Sequence, residues 1–169
     1  MGCDVHFYCE RFTTNYEHNG PKELSEEREI KIGKVLGEEN LEPKWISVDN
    51  WNNEDGYWSS DQFYRGRNYY LFAALADVRN DYEIEPISEP RGIPEDVSYP
   101  IKHILKVNWG SDAHSISYFT LKELLDVDWS KYQVGNRADW LDEFMDTINK
   151  MKEIDEDPTK VRCIFFFDN

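Results

Sequence analysis

Positive charge is scarce in this chain. Its 169 residues carry 34 Asp and Glu against 19 Lys and Arg, a formal net charge of -15, so bulk electrostatics opposes binding to duplex nucleic acid or to an anionic membrane. Long apolar runs are missing too. The longest, residues 69–76, falls far short of the roughly 20 residues that span a bilayer. No basic segment followed by an apolar one opens the chain, and His6 stands where a myristoylation signal beginning Met1-Gly2 needs Ser or Thr. These absences predict a cytosolic protein with no membrane partner. Cysteine is limited to three positions. Cys3 and Cys9 sit on one predicted strand, about 20 Å apart when extended, too far to bridge. With Cys163 in a different apolar segment, all three read as reduced core thiols. The chain also lacks a Gly-rich P-loop, a Gly-x-Ser-x-Gly elbow and a Cys-x-x-Cys pair, which removes three common catalytic readings.

What is present describes one α+β domain, a mostly antiparallel sheet covered by three or four helices. Residues 3–12 alternate, with Cys3, Val5, Phe7 and Cys9 on one face and Asp4, His6, Tyr8 and Glu10 on the other. Residues 44–48 and 114–119 are further strands. The near-continuous apolar run at 161–167 predicts a central strand covered on both faces. Helices are expected near 69–78, 96–107 and 137–154, the last with Trp140, Leu141, Phe144, Ile148 and Met151 at helical spacing. Thr120 and Glu123 form a capping box that opens a shorter helix. Residues 13–29 read as an exposed hairpin loop or a partly ordered insertion, and residues 49–60 as a Trp-, Asn- and Gly-rich loop.

The candidate site centres on residues 65–94. No lysine occurs between Lys44 and Lys102, so the long cations there are Arg65, Arg67, Arg79 and Arg91. Arginine offers a planar fork suited to phosphate and a face that stacks on rings. Trp51, Trp58, Tyr64 and Tyr69 share the region, a composition suited to stacking bases and clamping phosphates. A packed aromatic core rimmed by structural ion pairs has the same composition. Arg91-Gly92, set between Pro90 and Pro94, is a rigid way to present one guanidinium and one open backbone amide to an anion. Two Asp-x-His pairs, Asp4/His6 and Asp112/His114, would make a zinc, manganese or iron site if they converged.

Two family resemblances bear on these residues. Gly110-Ser-Asp-Ala-His114 resembles the late metal motif of polymerase-and-histidinol-phosphatase hydrolases, whose opening motif also follows a first strand, as Asp4-Val-His6 does. That family places a second histidine where this chain has Tyr8, and its barrel is considerably longer. The chain is more broadly similar to a family of small phage-encoded proteins beginning Met-Gly-Cys-Asp-Ile/Val-His. The shared blocks are Arg67-Asn68-Tyr69, Leu71-Phe72-Ala73, Ala76-Asp77-Val78-Arg79-Asn80, Pro90-Arg91-Gly92-Ile93-Pro94 and Asp112-Ala113-His114-Ser115. They run in order over residues 1–125.

This second resemblance implies a viral anti-CBASS-type sponge. Such a protein sequesters a cyclic oligonucleotide signal of bacterial antiviral defence, for example cyclic GMP-AMP, without cleaving it. It would work in the cytoplasm of the infected host bacterium, as a homo-oligomer such as a tetramer, and without a cofactor. On that reading Arg67, Arg79 and Arg91 contact phosphate, with the Gly92 amide beside them. Trp51, Trp58 or Tyr69 stacks on a base. His6, Asn80, Asp112 and His114 read polar edges, Asn68 and Ser115 complete the lining, and Asp77 orients an arginine. The competing readings are a metal-dependent phosphoesterase, with Asp4, His6, Asp112 and His114 holding the ion, and a protein-binding inhibitor that uses its acidic surface as a decoy.

Overall fold

A computed structural model describes residues 2–14, 42–55, 57–133 and 139–169. Apart from its first two residues, the expected loop at 13–29 lies outside these, as do the first residues expected of the last helix.

The sheet is built on its two longest apolar segments. Strand β1 (Val5–Thr13) lies antiparallel to the C-terminal strand, in a register running from Val5 opposite Phe167 to Arg11 opposite Val161. Going along the chain, β2 (Lys44–Ser47) pairs with the far half of β1. A hairpin follows, formed by β3 (Trp51–Glu54) and β4 (Tyr57–Ser60). Helices α1 (Tyr69–Ala76) and α2 (Tyr99–Ile104) precede β5 (His114–Thr120). After it come α3 (Leu121–Asp126), α4 (Asp139–Lys152) and β6 (Val161–Phe167). The order β2-β1-β6-β5 is antiparallel throughout. The architecture is therefore α+β, as the sequence predicts.

Every residue of β6 is buried, because it has a neighbour on each side and a layer over each face. On one face Phe7, Cys9, Phe119, Cys163, Phe165 and Phe167 pack beneath α1 and α4. On the other, Tyr8, Ile164 and Phe166 pack beneath the hairpin and α2, with Trp51, Trp58, Ile101 and Ile104. The polar-looking face of β1 is thus a second core. Its most deeply buried ion pair is satisfied internally. Arg162 donates through Nε to Glu10 at 2.9 Å and through a terminal nitrogen to Asp96 at 2.8 Å, while Glu10 also accepts from the Ser98 amide. Burial still pushes the Glu10 carboxyl above its ordinary range, against the opposing charge of Arg162.

Beyond β2, side chains close the open edge of β1. Gln62 accepts from the Phe7 amide at 2.8 Å and Asp49 from the Cys9 amide at 2.9 Å. Asn68 caps α1 by accepting from the Tyr70 and Leu71 amides, and the capping box of α3 forms as the sequence predicts. Helix α2 does not end at Ile104 but runs into a π-helical turn over Leu105–Trp109, a short 3-10 turn at Gly110–Asp112, and then β5. Among the described residues no helix is long and apolar enough to cross a membrane.

Candidate functional site

A cleft opens on the second face of the sheet, where the start of β1, the β3–β4 hairpin and the π-helical turn meet; its volume is about 320 Å³. Its floor comes from Asp4, His6 and Tyr8, side chains that period-two alternation places together. One wall is the hairpin, with Tyr57, Trp58, Ser59 and Ser60, continued by Gln62 and Arg65. Opposite stand Ile104, Asn108 and Trp109. A π-turn adds a residue to a helical repeat, and this one brings Asn108 and Trp109 to the cleft. The two walls are tied to each other by Asn108, whose side-chain amide donates to the Trp58 carbonyl at 2.8 Å.

His6 is buried between two rings, 4.0 Å from the Trp109 centroid and 4.9 Å from that of Phe166. Its Nε2 lies 3.1 Å from Asp168 Oδ2. Asp168 follows β6 directly, and its other oxygen accepts from the Asp4 amide at 2.9 Å. The imidazole is therefore held at a fixed angle by a carboxylate that is itself fixed. Beside it Asp4 accepts a bidentate pair from Arg67, 2.6 Å to each oxygen. Those hydrogen bonds hold the Asp4 carboxyl below the usual carboxylate range. Burial holds the Tyr8 hydroxyl well above its ordinary pKa, so it is a hydrogen-bonding group and not an anion. Arg65 is the one lysine or arginine among the lining residues. Its guanidinium donates to the Ser60 carbonyl at 2.5 Å and stands 3.5 Å from Asp61, with most of the side chain exposed. Chemically, the cleft offers aromatic surface, amide and hydroxyl edges, one imidazole, one carboxylate already paired with Arg67, and one guanidinium.

Of the residues that sequence alone proposed, Asp4, His6 and Trp58 line this cleft. Trp51 is close by but packed, stacked on Tyr8 at 5.7 Å with its indole N–H donating to Ser47. The arginine cluster does not assemble there. Arg67 is engaged by Asp4. Arg91 sits at the β5 edge, paired with Glu123 at 2.8 Å, donating to the Tyr118 carbonyl and lying over the Phe119 ring. Nor is the Gly92 amide open to an anion, because it donates to the Ile116 carbonyl at 2.8 Å while the Arg91 amide donates to Ser117. Arg79, with φ +52, follows α1 and lies against the Cys3 thiol. Asn80 braces the loop after α1 by bonding both the amide and the carbonyl of Ile84, as well as Asp77. Asn68 is a helix cap, and the Tyr69 hydroxyl accepts from the Cys3 amide. These positions are brace, cap and ion pair, the plainer of the two readings that composition allowed.

The two Asp-x-His pairs do not converge. His6 is in register with Phe166 and His114 with Phe167. Adjacent residues of β6 point to opposite faces, so the imidazoles lie on opposite sides of the sheet. His114 stands beside the Phe167 ring, its Nδ1 3.1 Å from the Ser115 hydroxyl, and Asp112 is exposed in the turn before it. Ser115 has φ +50 at the irregularity where the β5 register shifts, a bulge position and not a cleft residue. Among the described residues no group of three or more His, Cys, Asp or Glu side chains is arranged to hold a metal ion.

Sequence reasoning left Arg65, Tyr57, Gln62, Asn108, Trp109 and Asp168 unassigned. Arg65 had a signal, as a member of the lysine-free arginine set. Tyr57, Gln62, Asn108 and Trp109 reach the cleft through a hairpin, the segment after it and a π-turn that carry no local motif, and Asp168 acts on it only through His6 and the Asp4 amide. The sequence matches no protein-family model, and neither curated proteins nor solved structures give a match to the chain.

Proposed function

We propose that the protein is a binding protein for a nucleotide, and that it sequesters a cyclic oligonucleotide in the cleft above β1 without cleaving it. The observation that carries this reading is the composition of one prebuilt cleft. Trp58, Trp109 and Tyr57 supply ring surface, Gln62 and Asn108 supply amides that read base edges, and Arg65 supplies one cation for a phosphate. Because Asn108 and the His6–Asp168 pair already fix the walls, little ordering cost falls on binding. A sequestering protein needs affinity only, and this cleft is built for contact. The same proposal places the chain with the small phage-encoded proteins it resembles, acting as a homo-oligomer in the infected host's cytoplasm.

Titration calorimetry of the full chain against a panel of cyclic di- and trinucleotides tests the reading, followed by heat denaturation and chromatography of the released ligand. Tight binding with the ligand recovered intact is the expected result. Absence of binding across the panel, or recovery of cleaved product, overturns it.

A further inference from the structure

We infer that the cleft recognises a single nucleotide unit, one base with one phosphate, so that a cyclic dinucleotide is held by one of its halves. This inference rests on the nucleotide-binding reading above and narrows its ligand class. The first support is size. At about 320 Å³ the cleft stands at the lower end of small-molecule sites, which run from roughly 300 to 1,000 Å³. A cyclic dinucleotide carries two bases, two riboses and two phosphates. One half of it fills such a space.

Charge gives the second support. A phosphate entering the cleft meets Arg65, whose guanidinium is steadied by the Ser60 carbonyl and stands 3.5 Å from Asp61 in a solvent-exposed ion pair, a weak contact that a phosphate can displace. A second phosphate meets no further lysine or arginine among the lining residues. The nearby Arg67 is not among the lining residues, and its Nε and one terminal nitrogen are taken by the bidentate pair with Asp4.

The walls are the third support. Enlarging the cleft means parting Asn108 from the Trp58 carbonyl or Trp109 from the His6 ring. The hairpin is also anchored from below, through the Trp51 indole to Ser47. These contacts hold the cleft at the width of one unit.

The test uses the full chain and calorimetry with 3′,5′-cyclic AMP, 3′,5′-cyclic GMP and cyclic GMP-AMP. The expected result is that the better cyclic mononucleotide binds within tenfold of the dinucleotide. Arg65→Gln should then weaken both by the same factor, ten- to a hundredfold, while still unfolding cooperatively within about 4 °C of the wild type, the shift expected for loss of one exposed ion pair. Tight dinucleotide binding with both mononucleotides weaker by more than tenfold overturns the single-unit site while leaving sequestration intact. Unchanged affinities in Arg65→Gln overturn the phosphate assignment. Binding of none of the three removes this inference, while the sequestration reading is judged on the wider panel.

Discussion

Asp49 should make the protein less stable as pH rises, and replacing it by asparagine should abolish that effect. The carboxyl is 1% exposed; Oδ2 accepts from the Cys9 amide at 2.9 Å and the Ser47 hydroxyl at 3.4 Å, and Oδ1 has no hydrogen-bond partner among the described residues. Burial pushes its pKa up to about 8, against those hydrogen bonds and with help from the Glu10 charge. In the unfolded chain it returns to about 3.9. Between these values the native state holds a proton that the unfolded state releases, so the stabilisation is complete at low pH and is lost as pH rises through about 8. Linkage at about 1.4 kcal/mol per unit gives a loss of about 4 kcal/mol between roughly pH 5 and 9. At about 2–4 °C per kcal/mol for a chain of this size, Tm should fall by roughly 8–16 °C from this group alone. The side-chain amide introduced by Asp49→Asn keeps an oxygen that can accept from Cys9, and it does not titrate. Thermal unfolding followed by circular dichroism at one-unit pH steps measures both proteins. The difference in Tm, variant minus wild type, should rise by that amount across the range, since other groups cancel. Parallel profiles would refute the protonated, buried carboxyl.

Trp109→Ala removes ring surface from the cleft and should weaken nucleotide binding by about 1–3 kcal/mol in calorimetry; an unchanged Kd would exclude stacking there. Arg91→Ala should cost about 1 kcal/mol of stability by denaturant unfolding and leave affinity untouched, because its partners Glu123 and Tyr118 lie at the β5 edge. A loss of affinity would return Arg91 to the ligand site. The thiols of Cys3, Cys9 and Cys163 are buried, with burial pushing Cys163 up to about 12 and the other two above their ordinary value. They should resist alkylation by iodoacetamide at about pH 8 until denaturant is added, and rapid labelling of the native protein would contradict the packing.

Several elements were legible because their signals are local. Alternation over residues 3–12, the apolar run at 161–167, the capping box at Thr120 and the helical spacing of Trp140, Leu141, Phe144 and Ile148 depend on neighbours within a few positions, and each appears where the pattern put it. The hairpin over residues 51–60 read only as a loop, since its strands are four residues each and β3 is half asparagine, a residue that strands disfavour. The alternation did not say what covers the second face. Asp4, His6, Tyr8 and Glu10 share a face, but that face is a second core and cleft floor, not solvent, because the hairpin and α2 cover it.

By itself the sequence determined the class of fold, the buried thiols and the helix starts at Tyr69 and Leu121. Tertiary structure alone decided which charges meet. Arginine and carboxylate pair with whatever the fold brings within about 4 Å, so Arg67 went to Asp4, Arg91 to Glu123, Arg162 to Glu10, and Arg65, which lines the cleft, to Asp61. It also decided that the two histidines stand on opposite faces, because one step of register along β6 reverses the side of the sheet, and no spacing within either Asp-x-His motif encodes that step.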